Sequence, residues 1–295
     1  MNKVESVEDF IKVILNRPVS HSTISTYRGH GSQDFKLQPS IFRKTIVMEN
    51  EHILLRELIA AHPEDFSGDT SALEMLVRMQ HYSLPTRLLD VSMNPLVSLY
   101  FACESVKKRI RSIRNGKPMT RTVECDGHVV VLSVRKRNMR YFDSDTVSCI
   151  TNLARLSWVR KQKLDTDLDE KVFNESLPTK RLLHFIRQEK HGFLSEIEPT
   201  DLDRIILVKP KQNNKRILAQ AGAFFAFGLI DEIPEDNDDG ITIERISISG
   251  NQKAEILAQL DKLGINEKTL FPEIDRAARY ITGSLSIGAP ASRLV

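Results

Sequence analysis

Residues Gln80-His81-Tyr82-Ser83-Leu84-Pro85-Thr86-Arg87-Leu88-Leu89-Asp90-Val91-Ser92-Met93-Asn94-Pro95 set polar and turn-forming side chains between two helix-periodic apolar segments. Before this stretch, Leu73, Leu76, Val77 and Gln80 recur at helical spacing, and after it Leu96, Leu99, Tyr100 and Cys103 do the same. Asn94 stands where an N-cap belongs. Pro95 follows at the first helical position, where a missing N–H costs nothing. The stretch therefore reads as a loop joining two helices. A loop carrying His81, Tyr82, Thr86, Arg87, Asp90 and Ser92 serves either substrate contacts or a buried polar network.

A second cluster, Thr26-Tyr27-Arg28-Gly29-His30-Gly31, reads as a short strand through Ile24 and Tyr27, with Arg28 at its end. Its two glycines allow the backbone to turn or to approach a ligand closely. Gln38-Pro39-Ser40-Ile41-Phe42-Arg43 then reads as a turn into a helix over 51–61. The third cluster runs from Arg216 to Phe225, with Gln220 at the mouth of an apolar, glycine-bounded strand.

Composition bounds these readings. With 295 residues, 41% hydrophobic and 27% charged, the chain has the make-up of a globular protein of one large or two smaller domains. Cys103, Cys125 and Cys149 are odd in number and lack CxxC spacing, which argues against a disulfide framework or a zinc site and fits a reducing cytoplasm. No apolar run approaches about 18 residues and no hydrophobic core follows a basic start, so neither a membrane span nor a signal peptide is expected. The net charge of +3 is unevenly distributed. Lys107-Lys108-Arg109 through Arg121, and Arg135-Lys136-Arg137 with Arg140, are basic, whereas 231–239 is acidic. A basic stretch of this kind is either a solvated face or a contact for nucleic acid.

Along the rest of the chain, Ser6 with Asp9 opens an N-terminal helix, Gly127 to Val134 is a strand, and Arg204 to Val208 is another. Residues 141–199 read as mainly helical, with Thr179 as an N-cap, Leu182, Leu183 and Ile186 on one face, and Gly192 as a C-terminal stop. Ile241 to Ile248 is strand-like, but its apolar phase slips between Ile243 and Ile246, as a bulge would require. Helices are expected over 251–263 and 272–282. Flexible connections are expected around Gly116-Lys117-Pro118 and Pro234. No internal repeat, GxGxxG or Walker-type phosphate loop is present.

Three of these stretches carry a resemblance. Tyr27-Arg28-Gly29, Pro85-Thr86-Arg87-Leu88-Leu89-Asp90 with Asn94-Pro95 and Leu99-Tyr100-Phe101-Ala102, and Ala219-Gln220-Ala221-Gly222-Ala223-Phe224 together resemble the FRG-domain family of bacteria and phages. The resemblance is dense over residues 20–130 and sparser over 204–282, where Leu263-Gly264-Ile265 and Thr269-Leu270-Phe271-Pro272 look like the tail that follows this domain. It implies an α+β fold with a mixed, largely antiparallel sheet flanked by helices. The implied division is an N-terminal helix over 1–20, a core over 21–232 with the helical insertion at 141–199, and a C-terminal strand and helices over 233–295. It also implies a toxin-like effector in bacterial or phage defence.

The order of the clusters is also similar to the arginine, serine and glutamate motifs of ADP-ribosyltransferases. That similarity gives Arg28 the phosphates of NAD and Ser92 the nicotinamide ribose, and sets Gln220 near the expected glutamate. The departure at Gln220 matters, because the glutamate in those enzymes stabilises an oxocarbenium-like transition state and an amide lacks the charge to do so. Either Asp90 substitutes or catalysis is lost. The expected site is therefore Arg28, Asp90, Ser92 and Gln220 for chemistry, with Tyr27, Arg28, Gly29, His81, Tyr82, Thr86, Arg87 and Ser92 around NAD or a related nucleotide and Tyr82 stacking on nicotinamide. No metal is expected; Asp90, Glu104 and Glu124 offer carboxylates to a nuclease-type site, but their spacing specifies none. The acceptor would be a nucleic acid or a protein.

Plainer readings stand beside these. Arg28 braces a strand, Asp90 pairs with Arg87 or caps the next helix, Gln220 satisfies backbone groups, and His30 and His81 are structural or general bases. Two classes follow: an NAD-processing enzyme, or a non-catalytic module that senses a nucleotide, nucleic acid or protein.

Overall fold

In the computed structural model, residues 3–18, 20–114, 117–234 and 240–274 are described, together with Arg276 and Tyr280. Nine strands are formed among them: β1 Thr23–His30, β2 Leu88–Ser92, β3 Lys107–Arg114, β4 Lys117–Glu124, β5 Gly127–Arg135, β6 Met139–Tyr141, β7 Ile205–Lys209, β8 Gly222–Phe227 and β9 Ile241–Ile248. Seven build one sheet in the order β6-β7-β8-β2-β1-β5-β9, and β3 and β4 form a separate two-stranded ribbon. Every neighbouring pair in the large sheet is antiparallel except β6 and β7.

The helices are α1 Val7–Leu15, α2 Thr45–Glu49, α3 Glu51–Ala61, α4 Pro63–Phe66, α5 Ala72–His81, α6 Pro95–Ala102 and α7 Asp145–Asn152. They continue with α8 Trp158–Lys161, α9 Glu170–Glu175, α10 Leu177–Glu189, α11 Lys215–Ala219, α12 Lys253–Lys262 and α13 Glu267–Leu270. The result is the mixed α+β fold expected. Helices α7 to α10 fill the connection from β6 to β7. Two parallel strands cannot be joined by a tight turn, so a long crossover is required there. This crossover has its own apolar cluster, centred on Leu153, Phe173, Leu182 and Ile186.

The sheet is covered on both faces. On one, Leu88, Phe224, Ala226, Ile206 and Val208 pack with Leu73, Leu76 and Val77 of α5 and Val147 and Ile150 of α7. Farther along that face, Val129, Val131, Ile246 and Ile248 pack with Leu99 and Ala102 of α6, Phe10 of α1 and Ile256 of α12. On the other face, Leu89, Val91, Val130, Leu132, Phe225 and Phe227 meet Leu37 and Ile233.

Several local expectations need correction. The 80–95 stretch is not all loop: Leu88–Ser92 is a central strand, buried except at Asp90 because apolar layers lie on both sides. β9 pairs with β5 in unbroken register from Ile241–Val134 to Ile248–Gly127, so it has no bulge. Its apolar phase slips because Ile241 and Ile243 join one face of the sheet while Ile246 and Ile248 join the other. Helix α10 is capped by Ser176, whose hydroxyl accepts from the Thr179 amide; Thr179 itself is buried in the first turn. That helix ends at Glu189, before Gly192.

Near the C-terminus the chain forms the short α13 and then an extended Phe271. Most of the helix expected over 272–282 falls outside the described residues, as do residues 235–239 of the acidic loop. Gly116 also falls outside them, while Lys117 and Pro118 belong to β4. No helix among the described residues is long and apolar enough to cross a membrane.

Candidate functional site: a cleft where the sheet splits

The three sequence clusters converge because β8, β2 and β1 are consecutive in the sheet. β2 is in register with β8 over all five of its residues, from Leu88–Ala226 to Ser92–Gly222. Between β2 and β1, in contrast, the only registered pair is Tyr27–Ser92. Beyond that pair the strands diverge, and a cleft of about 270 Å³ lies at the divergence. It is lined from β1 by Tyr27, Arg28, Gly29 and His30, from β2 by Asp90, Val91 and Ser92, and from the α11–β8 corner by Arg216, Gln220 and Gly222.

Arg28 spans the opening. Its Nη1 donates to the Asp90 carbonyl at 2.6 Å, replacing a ladder bond that the diverging strands no longer make. Its Nε donates to His30 Nε2 at 3.0 Å, and Nη2 has no acceptor among the described residues. Because Arg28 only donates, His30 must accept at Nε2 and carry its proton on Nδ1, which lies 3.2 Å from His128 Nε2. Burial first, then the positive charge of Arg28, holds the His30 imidazole down at about 2, so it is neutral. Arg43 and Arg216 add two further guanidinium groups to the lining. Arg216 lies over the Phe271 ring and 3.6 Å from a Glu273 carboxylate oxygen.

The cleft also has two carboxyl groups. The Gln80 amide donates to the Asp90 side chain, and Gln80 is itself oriented by the Thr86 hydroxyl, which donates to its Oε1 at 2.6 Å. Asp90 therefore neither pairs with Arg87 nor caps α6; Asn94 does the capping. Glu104, at the end of the α6 segment, is raised above the ordinary carboxyl range by loss of solvent, an effect opposed by Arg276, Arg28 and Lys253.

Ser92 and Gln220 both reach the cleft, and both are tied to its walls. The Ser92 hydroxyl donates to the Gln220 carbonyl at 2.6 Å and accepts from the Asn94 amide at 2.9 Å. The Gln220 amide donates to the Leu270 carbonyl at 3.0 Å, joining the corner to α13. Between them, Ala221 adopts a left-handed backbone at φ 46°, pinned by the Met93 amide bonding to its carbonyl at 2.8 Å. Left-handed backbone in a residue with a Cβ concentrates at functional sites.

Other expected nucleotide contacts take different roles. Tyr82 is exposed at the end of α5 and does not line the cleft, so it is not placed to stack there. Thr86 is fully buried and works through Gln80. Arg87 is buried, donates twice to Glu51 at 2.9 and 2.6 Å, and gives Nη1 to the carbonyls of Phe227 and Gly228, both at 2.9 Å. His81 does line the cleft, with its Nδ1 3.0 Å from the Asn214 amide nitrogen. Gly29 serves packing: a Cβ there would fall 2.0 Å from the Ser98 carbonyl oxygen and 2.5 Å from the Ala102 nitrogen of α6.

Sequence reasoning missed Gln80, Phe35, Arg43, Phe101 and Arg216 as lining residues. Arg216 stood inside the third cluster and Gln80 inside the first, whereas Arg43 carried no signal beyond a turn. Glu124, one of the three carboxylates weighed for a metal, lies outside the cleft and is held by Ser105, Val106 and Lys253. No group of three or more His, Cys, Asp or Glu residues able to hold a metal occurs among the described residues.

A mixed sheet that splits between β1 and β2, with a cationic, aromatic-edged cleft at the opening, defines the class of this protein as α+β. Residues 23–110, which run from β1 through β2 and α6 into β3, match the family model of the FRG domain. Neither a search of curated proteins nor one of solved structures returns a match.

Proposed function

We propose that the cleft binds NAD or a closely related dinucleotide and processes it, by ADP-ribose transfer to a macromolecular acceptor or by hydrolysis. The observation that carries this reading is the position of Arg28 and Arg43. Both line the main cleft and also a second hollow of about 220 Å³ bordered by Ser40, Leu84 and Leu89. Two guanidinium groups on the wall shared by two hollows suit a diphosphate with a nucleoside on either side, and the planar fork of Arg suits phosphate oxygens.

In the reaction, the bond from the nicotinamide nitrogen to the ribose anomeric carbon breaks and nicotinamide leaves with the electron pair. Water or an acceptor nucleophile then bonds to that carbon and gives up a proton. Asp90, oriented by Gln80, is the carboxylate for the developing positive charge, and Glu104, with its raised affinity for a proton, is the group to receive the proton. Gln220 cannot supply charge. A toxin-like effector in bacterial or phage defence is the setting this activity would serve.

A second reading, a nucleotide sensor without turnover, is favoured by one observation. The Ser92 hydroxyl and the Gln220 amide nitrogen are already committed to backbone carbonyls.

The test is NAD binding by calorimetry together with nicotinamide release and ADP-ribose incorporation in a cell lysate, for the wild type, Arg28→Lys and Asp90→Asn. Arg28→Lys keeps the charge and loses the fork, so binding should weaken about tenfold, on the scale of one charge-assisted hydrogen bond. Turnover lost in Asp90→Asn with binding retained supports the enzyme. Binding without turnover in the wild type supports a sensor of NAD, and no binding at millimolar NAD removes the NAD-processing reading and leaves a non-catalytic module for another nucleotide, a nucleic acid or a protein.

A further inference from the structure

The β3–β4 ribbon stands outside the large sheet, and its two strands pair only with each other. From Ser105 to Val123 the chain has no acidic residue and has seven basic ones: Lys107, Lys108, Arg109, Arg111, Arg114, Lys117 and Arg121. The side chains of Lys107, Lys108, Arg109, Arg111 and Arg121 are exposed, and none has an ion-pair partner among the described residues. Such charge density is unfavourable to an isolated ribbon, because like charges repel and the acidic residue that ends β4, Glu124 opposite Lys107, lies at the base, where it accepts from Ser105 and Val106. The register sets Lys108 and Arg121 on one face and Lys107, Arg109 and Arg111 on the other, so both faces are cationic.

The base of the ribbon, by contrast, is held firmly. Glu124 accepts from the Val106 amide at 2.7 Å and the Ser105 hydroxyl at 2.9 Å, and the Cys125 amide donates to the Val106 carbonyl at 2.8 Å. Lys253 of α12 ties the same corner by donating to the carbonyls of Gly31 and Glu104 at 2.7 and 2.9 Å. Glu104 lines the cleft, so the ribbon rises from the cleft's own rim.

We propose that the β3–β4 ribbon is a docking arm for double-stranded DNA, inserted into the major groove with its basic side chains on the flanking phosphates. Charge complementarity selects a polyanion. The ribbon's shape selects the duplex: a two-stranded β-ribbon fits the major groove of B-form DNA, about 12 Å wide, and the deep, narrow major groove of A-form RNA excludes it. Eight residues per strand span about 27 Å at the usual rise of about 3.4 Å, enough to cross the groove from one phosphate wall to the other. Docked in this way, the duplex lies beside the rim at Glu104.

The experiment is fluorescence anisotropy of a labelled DNA duplex of about 24 base pairs against the full chain, with salt varied from about 50 to 200 mM and no NAD present. The wild type should bind, with affinity falling on the order of 10²-fold over that range, as four or five neutralised phosphates require. A variant with Lys107, Lys108, Arg109, Arg111 and Arg121 all changed to Gln should bind at least about tenfold more weakly and flatten the salt dependence. Lys108→Glu with Arg121→Glu, which alters one face only, should weaken binding by a smaller factor. Circular dichroism on each variant establishes that the fold is kept. Duplex binding unchanged in these variants, absent in the wild type at low salt, or matched by an RNA duplex or a single strand would overturn the proposal. Because NAD plays no part in the measurement, its failure leaves the reading of the cleft intact, and failure of NAD binding leaves this one intact.

Discussion

Arg28, His30 and His128 form a hydrogen-bonded chain in which the place of the His30 proton is assigned, and that chain fixes what this wall of the cleft presents. A guanidinium cannot accept, so the His30 tautomer follows from one 3.0 Å contact. Because burial, Arg28, His128, Arg245 and Arg43 all hold His30 down to about 2, its charge does not change across the physiological range. We therefore expect ¹H–¹⁵N NMR of the imidazoles to show His30 neutral, with Nε2 unprotonated, at every pH from about 5 to about 8, where an ordinary histidine titrates. A titration of His30 near the ordinary 6.5 would remove this account of how Arg28 is oriented. None of this was legible in the sequence. Arg28 was legible as a candidate site residue, but the partner of His30 in this chain, His128, lies 98 positions away from it. Thr86 and Arg87 show the opposite error: a polar residue of a buried network and one of a binding loop look alike in sequence, and both of these proved to be network.

At the scale of elements, the helices flanking the site were readable because their ends are chemically marked, as by the Asn94 side chain accepting from the Leu96 amide at 2.9 Å. Strand β2 was not, because burial on both faces removes the alternation that identifies a strand, and Asp90 interrupts the apolar run. The seating of α6 on the sheet was also hidden, since it depends on two glycines in different strands. A Cβ at Gly127 would lie 2.2 Å from the Ala102 carbonyl oxygen, and one at Gly29 2.0 Å from the Ser98 carbonyl oxygen. Both neighbours are backbone, which cannot turn aside as a side chain can. Gly29→Ala should accordingly destabilise the fold by about 1–3 kcal/mol, the range for overpacking a tight interior. Gly192→Ala, where nothing lies within 4 Å, should change stability by less than about 0.5 kcal/mol. Urea unfolding of the two variants measures the difference directly; equal midpoints would mean that α6 is free to move and that the glycine is reserved for a ligand.

The whole molecule is joined across its layers by one buried ionic group. Glu51 begins α3, Arg87 precedes β2, and Lys161 ends α8 within the crossover; the three are 3%, 1% and 5% exposed. Arg87 reaches the far end of β8 as well, through the carbonyls of Phe227 and Gly228. The separation of 110 residues between Glu51 and Lys161 puts this group beyond any local pattern, which is why sequence reading left Arg87 among the ligand contacts. Burial pushes the Glu51 carboxyl up, but the charges and hydrogen bonds of Arg87 and Lys161 together outweigh it and hold the group at about 2, below its ordinary 4.5. A carboxyl whose folded value is depressed stabilises the fold fully above its unfolded value and loses that contribution as pH falls toward its folded value. The contribution of Glu51 should thus be complete above about pH 4.5 and disappear by about pH 2, and a separation of that size corresponds to roughly 3 kcal/mol. Other carboxyls also titrate in that window, so the quantity to follow is the stability difference between the wild type and Glu51→Gln. At neutral pH the variant, which leaves two buried cations without a counter-charge, should be less stable by about 3–5 kcal/mol. As pH is lowered the two unfolding curves should converge, because the wild-type carboxyl becomes neutral as well. A difference that stays constant down to the acid limit would mean that Glu51 acts through packing alone, and that charge is not what joins the crossover to the sheet.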